Sequence, residues 1–217
     1  MSERPDLIGY RYSVYTWIAR LALRVIEQPY NYHEINPFEP MTVAEAELLP
    51  FGRVPVLRHQ GQTVYETGAI TRYLARCFDR DDLLGITPQV MAQVDQVIGI
   101  IDAYGYWPMV RQVFSHGMFR PHLGLEADAD VIREGLMNAR PVLQKLESIA
   151  AEKRVLSGID WSLADVHLAP VMDYFLRVPE ARDLLKTYPA LWAWWEDIWT
   201  ADALRETVPE FGAGSAG

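Results

Sequence analysis

The sequence predicts an α/β layer followed by an all-α segment. Three observations carry that expectation. Over roughly the first 80 residues, short β-patterned stretches alternate with helical ones. From Pro88 onward only helical periodicity remains. Between them, two strands joined by the Gly-containing turn His59-Gln60-Gly61-Gln62 run into an abrupt helix start at Glu66 and Thr67.

Taken in order, Asp6 to Arg11 reads as a short strand. Tyr15 to Gln28 reads as a helix, with Ile18, Leu21, Ala22 and Val25 at helical spacing. Tyr30 to Ile35 alternates like a strand, and Asn36-Pro37-Phe38-Glu39-Pro40 is an irregular loop. Thr42 is placed to cap a short helix through Leu48. Two strands and a helix from Thr67 to Phe78 complete a β-α-β-α-β-β-α order, and Asp79-Arg80-Asp81-Asp82 reads as a solvated connector. The predicted boundaries are 1–80 for the first domain, 81–87 for a linker, 88–211 for an all-α domain and 212–217 for a disordered tail. Helices are expected at about 88–115, 127–151, 163–175, 180–186 and 189–200. The first contains Gly99, Gly105 and Pro108, which predicts a bend or break near residue 107. Ser162, with Asp165 three positions on, reads as a capping-box variant opening the third. Four tryptophans between residues 192 and 199 read as core packing.

Composition narrows the function. A formal net charge of −9 argues against general binding to nucleic acid or anionic membranes, which require a basic face. No apolar run approaches a membrane span, and the start lacks the apolar stretch of a signal peptide. The single cysteine, Cys77, rules out an intrachain disulfide and fits a reducing, cytoplasmic compartment. It is expected to be a small buried residue. The five histidines show no metal-ligand spacing, so no metal is expected.

The chemistry concentrates in two stretches. In Arg53-Val54-Pro55-Val56-Leu57 a proline opens a strand, a position where it suits an edge or tight turn and where an X-Pro bond is a candidate for cis. That geometry turns the Val54 backbone outward, toward a peptide-like ligand. Just downstream, the helix starting at Thr67 offers free N–H groups and a hydroxyl to a carboxylate. Together they describe a pocket for a small anionic peptide. The second stretch is Arg11-Tyr12-Ser13-Val14-Tyr15-Thr16-Trp17, between the first strand and first helix. Taken alone, Ser13 there is a good helix N-cap.

These motifs resemble the cytosolic glutathione transferases, in a serine-type, bacterial-like form. The resemblance spans nearly the whole chain: Val54-Pro55, Glu66-Thr67, the Arg20-Leu21-Ala22-Leu23 helix, the Ser162-x-x-Asp165 box and the Tyr188-Pro189 start of the last long helix all have family counterparts. It implies a thioredoxin-like N-terminal domain, a helical C-terminal domain, glutathione as cosubstrate and a homodimer. Residue by residue, it implies Ser13 as the hydroxyl that donates to the glutathione thiolate, with Tyr12 and Tyr15 as competing hydroxyls. Thr67 would take the γ-glutamyl carboxylate, Glu66 the α-amino group, and Val54, ahead of Pro55, the cysteinyl backbone. Arg53 would lie near the glycyl carboxylate. Tyr12, Tyr106, Trp107, Met109, Val110 and Phe114 would wall the site of a small, mostly apolar electrophile. Thr67 stands where the family usually has serine, and Val14 where it often has proline. The resemblance leaves other glutathione-dependent reactions open, namely isomerisation, peroxide reduction and dehalogenation, as well as a non-catalytic binding or regulatory role.

Overall fold

A computed structural model describes residues 4–211. The expected tail at 212–217 and the first three residues lie outside them. The chain divides into two compact units, Met1–Asp81 and Asp82–Gly217.

The first unit has the predicted element order: β1 (Asp6–Gly9), α1 (Val14–Val25), β2 (Asn31–Glu34), α2 (Val43–Leu48), β3 (Val56–His59), β4 (Gln62–Val64) and α3 (Thr67–Cys77). The four strands form one mixed sheet in the order β2-β1-β3-β4. β1 pairs with β2 in parallel, whereas β3 is antiparallel to both β1 and β4. Because side chains alternate along a strand, the pair Ile8–Val56 serves one face and Leu7–Leu57 the other. Ile8 and Val56 pack with Leu49, flanked by Ile35, Met41, Leu48, Val54 and Tyr65. Leu7 and Leu57 are fully buried on the opposite face, the side taken by α1 and α3, which pack on each other. Thr42 caps α2 in a capping box with Glu45.

Two expectations change here. β2 is exposed at all four residues rather than alternating, because it is the sheet's edge. Cys77 is exposed, not buried. The buried stripe of α3 runs through Thr67, Gly68, Ile70, Thr71, Leu74 and Ala75, and Cys77 falls outside it at the helix end, against the Tyr73 hydroxyl. The connector at Asp79–Asp82 also tightens into a 3-10 turn, Asp81–Leu84, that buries Leu83 and Leu84.

The second unit is helical throughout. Thr87 caps α4 (Pro88–Ile100). The run then continues through Ile101–Gly105 and Trp107–Phe119 and ends in the turn α5 (Arg120–His122). Near residue 107, where a bend or break was expected, the chain does not break. Tyr106 keeps helical angles (φ −57, ψ −46), and the winding loosens instead, so that each N–H bonds five residues back. Tyr106 donates to Ile101 and Arg120 to Ser115 in this way. Pro108 sits at the start of the second wide stretch, where a missing N–H costs least. After it come α6 (Ala129–Ala151), α7 (Leu163–Leu176), α8 (Pro179–Leu185), α9 (Pro189–Trp199) and α10 (Asp202–Arg205). The turn α10 was not anticipated. Trp194 and Trp195 of α9 are buried, in line with a core role.

All of α7 is buried. A helix apolar around its whole circumference belongs at the centre of a bundle, and the wide helix, α4, α8 and α9 pack around it. Its buried polar residues each have a partner through at least one atom. His167 Nε2 lies 2.8 Å from Asp102 Oδ1, and Asp173 accepts from Arg177 Nε at 2.7 Å. Asp165 accepts from the Ser162 N–H (2.8 Å), the Ser162 hydroxyl (2.7 Å) and the Trp194 indole N–H (2.8 Å). Burial pushes the Asp165 carboxyl above its ordinary range, against the pull of those donors. Where α6 meets the wide helix, Gly135 leaves no room for a side chain: a Cβ there would lie 2.7 Å from Gln112 Cβ and 2.9 Å from the Pro108 carbonyl oxygen.

Two consequences are measurable by urea denaturation. Asp165→Ala orphans three donors on buried residues, so it should destabilise the protein by about 3 kcal/mol or more. Gly135→Ala should cost about 1–3 kcal/mol by overpacking. A loss under half a kcal/mol in either case, on the order of an ordinary surface change, would contradict the packing described.

Candidate functional site

The sheet register brings the two chemically suggestive stretches to one edge. Ile8 pairs with Val56, so the chain leaving β1 through Gly9 runs beside the chain entering β3 through Val54 and Pro55. Leu57 pairs with Val64, so β4 delivers Tyr65, Glu66 and Thr67 to the same edge. Ser13, Val54–Pro55 and Glu66–Thr67 therefore occupy three adjacent turns. Val54 and Tyr65 also pack on the same Ile8–Val56 cluster, and Tyr65 meets Phe51 edge-on at 6.0 Å.

Ser13 is the N-cap of α1, in extended conformation, with its Oγ accepting from the Thr16 N–H at 3.3 Å. Capping uses a lone pair and leaves the hydroxyl hydrogen free to serve as a donor, so the two roles read from the sequence are compatible. The turn before it is held at several points. Ser13 N–H donates to the Tyr10 carbonyl (2.8 Å), and Ile35 N–H donates to Gly9 (2.8 Å). Tyr10 N–H donates to Thr16 Oγ1 at 3.3 Å. Thr16 is fully buried against Gly9, where an added Cβ would come within 2.3 Å of its methyl. Gly9 is thus required by a close approach, a signal that a glycine at a strand end can give.

The Val54–Pro55 peptide is cis. Pro55 is buried and Val54 half-buried, while Arg53 is exposed. Glu66 is exposed and holds a left-handed φ of +64 immediately before α3, a conformation that costs a non-glycine residue about 1–3 kcal/mol. Thr67 is buried at the first position of α3. Tyr12 is half-buried and meets Tyr10 edge-on at 5.5 Å.

Glu34, at the end of β2, is a member of this edge that sequence reasoning missed. Its carboxylate accepts from the Arg11 backbone N–H (3.2 and 3.1 Å), from Arg11 Nε (3.0 Å) and from the Tyr32 hydroxyl (2.5 Å). Burial pushes Glu34 upward, but the hydrogen bonds from Tyr32 and Arg11 outweigh it and hold the carboxyl below its ordinary range. Burial, then Glu34, pushes the Tyr32 phenol well above its ordinary value. No local motif announces a contact spanning 23 residues.

In the second unit the apolar candidates divide. Met109, Val110 and Phe114 are buried, with Phe114 stacked on Tyr174 at a centroid distance of 4.0 Å. Tyr106 is half-buried, and Trp107 is largely exposed, at 62%. Ser162 and Asp165 belong to the α7 network, where their contacts are structural. Among the described residues no group of His, Cys, Asp and Glu could hold a metal ion, and no helix is long and apolar enough to cross a membrane.

The chain matches two family models: glutathione S-transferase, N-terminal domain, over residues 7–81, and glutathione S-transferase, C-terminal domain, over residues 129–196. Among curated relatives, glutathione S-transferase F9 of Arabidopsis thaliana is 31% identical over 166 residues, covering 76% of this chain and 77% of that protein. F10 of the same plant is 30% identical, covering 75% and 76%. Among solved structures, a glutathione S-transferase-I bound with lactoylglutathione superposes with a TM-score of 0.82 at 24% identity, covering 95% of this chain and 99% of that one. FzlA from C. crescentus shares the fold at a TM-score of 0.78 and 23% identity, covering 94% and 92%. With the thioredoxin-like sheet, the helical second unit and both family models on one chain, the protein belongs to the glutathione S-transferase family.

Proposed function

We propose that this protein is a serine-using glutathione transferase. It binds glutathione along the sheet edge of its first unit, stabilises the thiolate, and adds the sulfur to a small, mostly apolar electrophile. The observation that carries this reading is the alignment of three turns on one edge: Ser13 after β1, Val54–Pro55 before β3 and Glu66–Thr67 after β4. Two strand spacings separate the outer turns, about 10 Å. An extended tripeptide is also about 10 Å long. A three-residue ligand is therefore long enough to reach all three turns.

In this reading Val54 pairs its backbone with the cysteinyl residue, which sets the sulfur beside Ser13. Thr67 and the free N–H groups opening α3 take the γ-glutamyl carboxylate, and Glu66 takes the α-amino group. Arg53 reaches the glycyl carboxylate. A thiol near pKa 8.5 needs about 2.7 kcal/mol to shift by two units. A hydroxyl donating to the charged sulfur contributes about 1.5–3 kcal/mol, and the N-terminus of α1 adds roughly 0.3–1 kcal/mol. Neither a general base nor a metal is needed. Of the residues expected to wall the electrophile, Tyr12 in the first unit and Tyr106 and Trp107 in the second keep exposed surface, whereas Met109, Val110 and Phe114 are buried. We assign the work to domains 1–80 and 88–211, joined by 81–87, in a cytoplasmic homodimer. The serine-type, bacterial-like subtype is part of the same proposal.

The test is an ultraviolet titration of bound glutathione. The wild-type complex should show a thiol pKa about two units below that of the free thiol. Ser13→Ala should bind glutathione with little loss yet raise that pKa by about 1–2 units and cut conjugation at least about tenfold. An unshifted thiol in the wild type would reduce the protein to a binder, and full activity in Ser13→Ala would remove Ser13 as the donor.

A further inference from the structure

We infer that Glu34 is a positioning residue for the thiolate site: its carboxylate grips the Arg11 backbone N–H and so fixes the turn that aims the Ser13 hydroxyl. The inference rests on the reading of Ser13 as thiolate donor.

The register explains how a residue so distant in sequence reaches this turn. Glu34 pairs with Gly9 in the parallel β1–β2 ladder, and the chain from Gly9 rises past it into Tyr10 and Arg11. The turn Tyr10–Ser13 closes on itself through the Ser13 N–H and the Tyr10 carbonyl. Its first residue is tied to Thr16 through Oγ1, and its last is tied to the Thr16 N–H through Ser13 Oγ. The Arg11 amide between them is engaged by neither anchor and donates to Glu34 instead. Without Glu34 that amide has only water, and the turn is held from one side. With Glu34 both carboxylate oxygens engage the amide.

The carboxylate is itself held from two directions. Tyr32, two residues back on the same face of β2, donates its hydroxyl, and Arg11 Nε donates from the other side. Tyr32 in turn lies under the Arg20 guanidinium, 5.8 Å from its ring centroid, on the helix that Ser13 caps. Ordinary surface pairing does not account for this arrangement. An exposed Arg–Glu pair contributes little and acts through the side chains alone. Here the carboxylate grips the main chain, so the Arg11 side chain is the lesser half of the contact.

The experiment is the same thiol titration, run on Ser13→Ala, Glu34→Ala, Arg11→Ala and the Ser13→Ala/Glu34→Ala double variant, with thermal unfolding followed by circular dichroism. Glu34→Ala should raise the bound thiol pKa by about half a unit or more, a threefold or larger loss of thiolate stabilisation. Arg11→Ala, which keeps the amide, should shift it less than half as far. The double variant should sit no higher than Ser13→Ala alone, because Glu34 acts through Ser13. Should Glu34→Ala fail to fold, the isosteric Glu34→Gln, with one acceptor lost, carries the comparison and should show a smaller shift of the same sign. If Ser13→Ala shifts the thiol and neither Glu34 variant does, positioning by Glu34 is wrong and the donor stands. If Ser13→Ala leaves the thiol unshifted, the donor assignment fails and this inference fails with it. Equal effects of Arg11→Ala and Glu34→Ala, or additive effects in the double variant, would also overturn it.

Discussion

The site depends on one constraint: β3 runs antiparallel to both of its neighbours. Had β3 been parallel to β1, the Val54–Pro55 entry would lie at the opposite end of the sheet from Ser13. Had it been parallel to β4, Glu66 and Thr67 would be carried away from Val54. Because a one-residue slip exchanges the two faces of a strand, the same register is also fixed by packing. Ile8 and Val56 must face the Leu49 cluster while Leu7 and Leu57 face α1 and α3. The hydrophobic pattern that stabilises the sheet thus sets the spacing of the functional turns, and neither can change without the other.

On that frame the thiolate requires little machinery. The proposed stabilisation is a few kcal/mol, within reach of one well-aimed hydroxyl and one helix end. Direction is therefore worth more than strength, since a hydrogen bond weakens steeply as its angle closes. This explains why so much of the first unit's polar detail concerns a four-residue turn. Gly9 admits Thr16, Thr16 holds Tyr10, and Glu34 holds Arg11. The chain's overall charge of −9 is no obstacle, because the proposed site relies on local positive groups, the backbone amides placed by the fold and Arg53.

What was legible in the sequence follows the range of the interactions involved. The β-α-β-α-β-β-α order, the cap on α2 and the turns around Pro55 and Gly61 are local, and each leaves a mark within a few residues. β2 was found, but its exposure was not, because edge position is a property of the sheet and not of Asn31–Glu34. Cys77 was misplaced because cysteine usually is buried, whereas here the buried stripe of α3 ends two residues earlier, at Ala75. The segment around Pro108 was expected to bend or break. Its wide winding depends on tertiary packing, with Gly135 letting α6 close on the Pro108 carbonyl, and no propensity within residues 101–119 encodes that. Glu34 was invisible for the same reason, since its partner is 23 residues away.

The two units use carboxylates in opposite senses, and the difference can be read out residue by residue. Asp165 is buried, so its folded pKa is raised: at neutral pH its ionised form is a cost that its donors offset, and that cost is relieved as pH falls through the raised value. Glu34 is held by donors at a half-open edge, so its folded pKa is lowered. Its contribution is present above the ordinary glutamate range and is lost only as pH falls through the lowered value. Each carboxylate grips one backbone amide, Ser162 for Asp165 and Arg11 for Glu34, and the chemical shift of a gripped amide follows the protonation of its acceptor. In unfolded chains aspartate titrates below glutamate, near 3.9 against 4.3. In the folded protein a nuclear magnetic resonance pH series should show the Ser162 amide titrating above the ordinary aspartate range and the Arg11 amide below the ordinary glutamate range. A midpoint for Arg11 at or above the ordinary glutamate range would mean that the Glu34 grip is too weak to perturb it, and the turn would then be held by Thr16 and by its own Ser13–Tyr10 hydrogen bond.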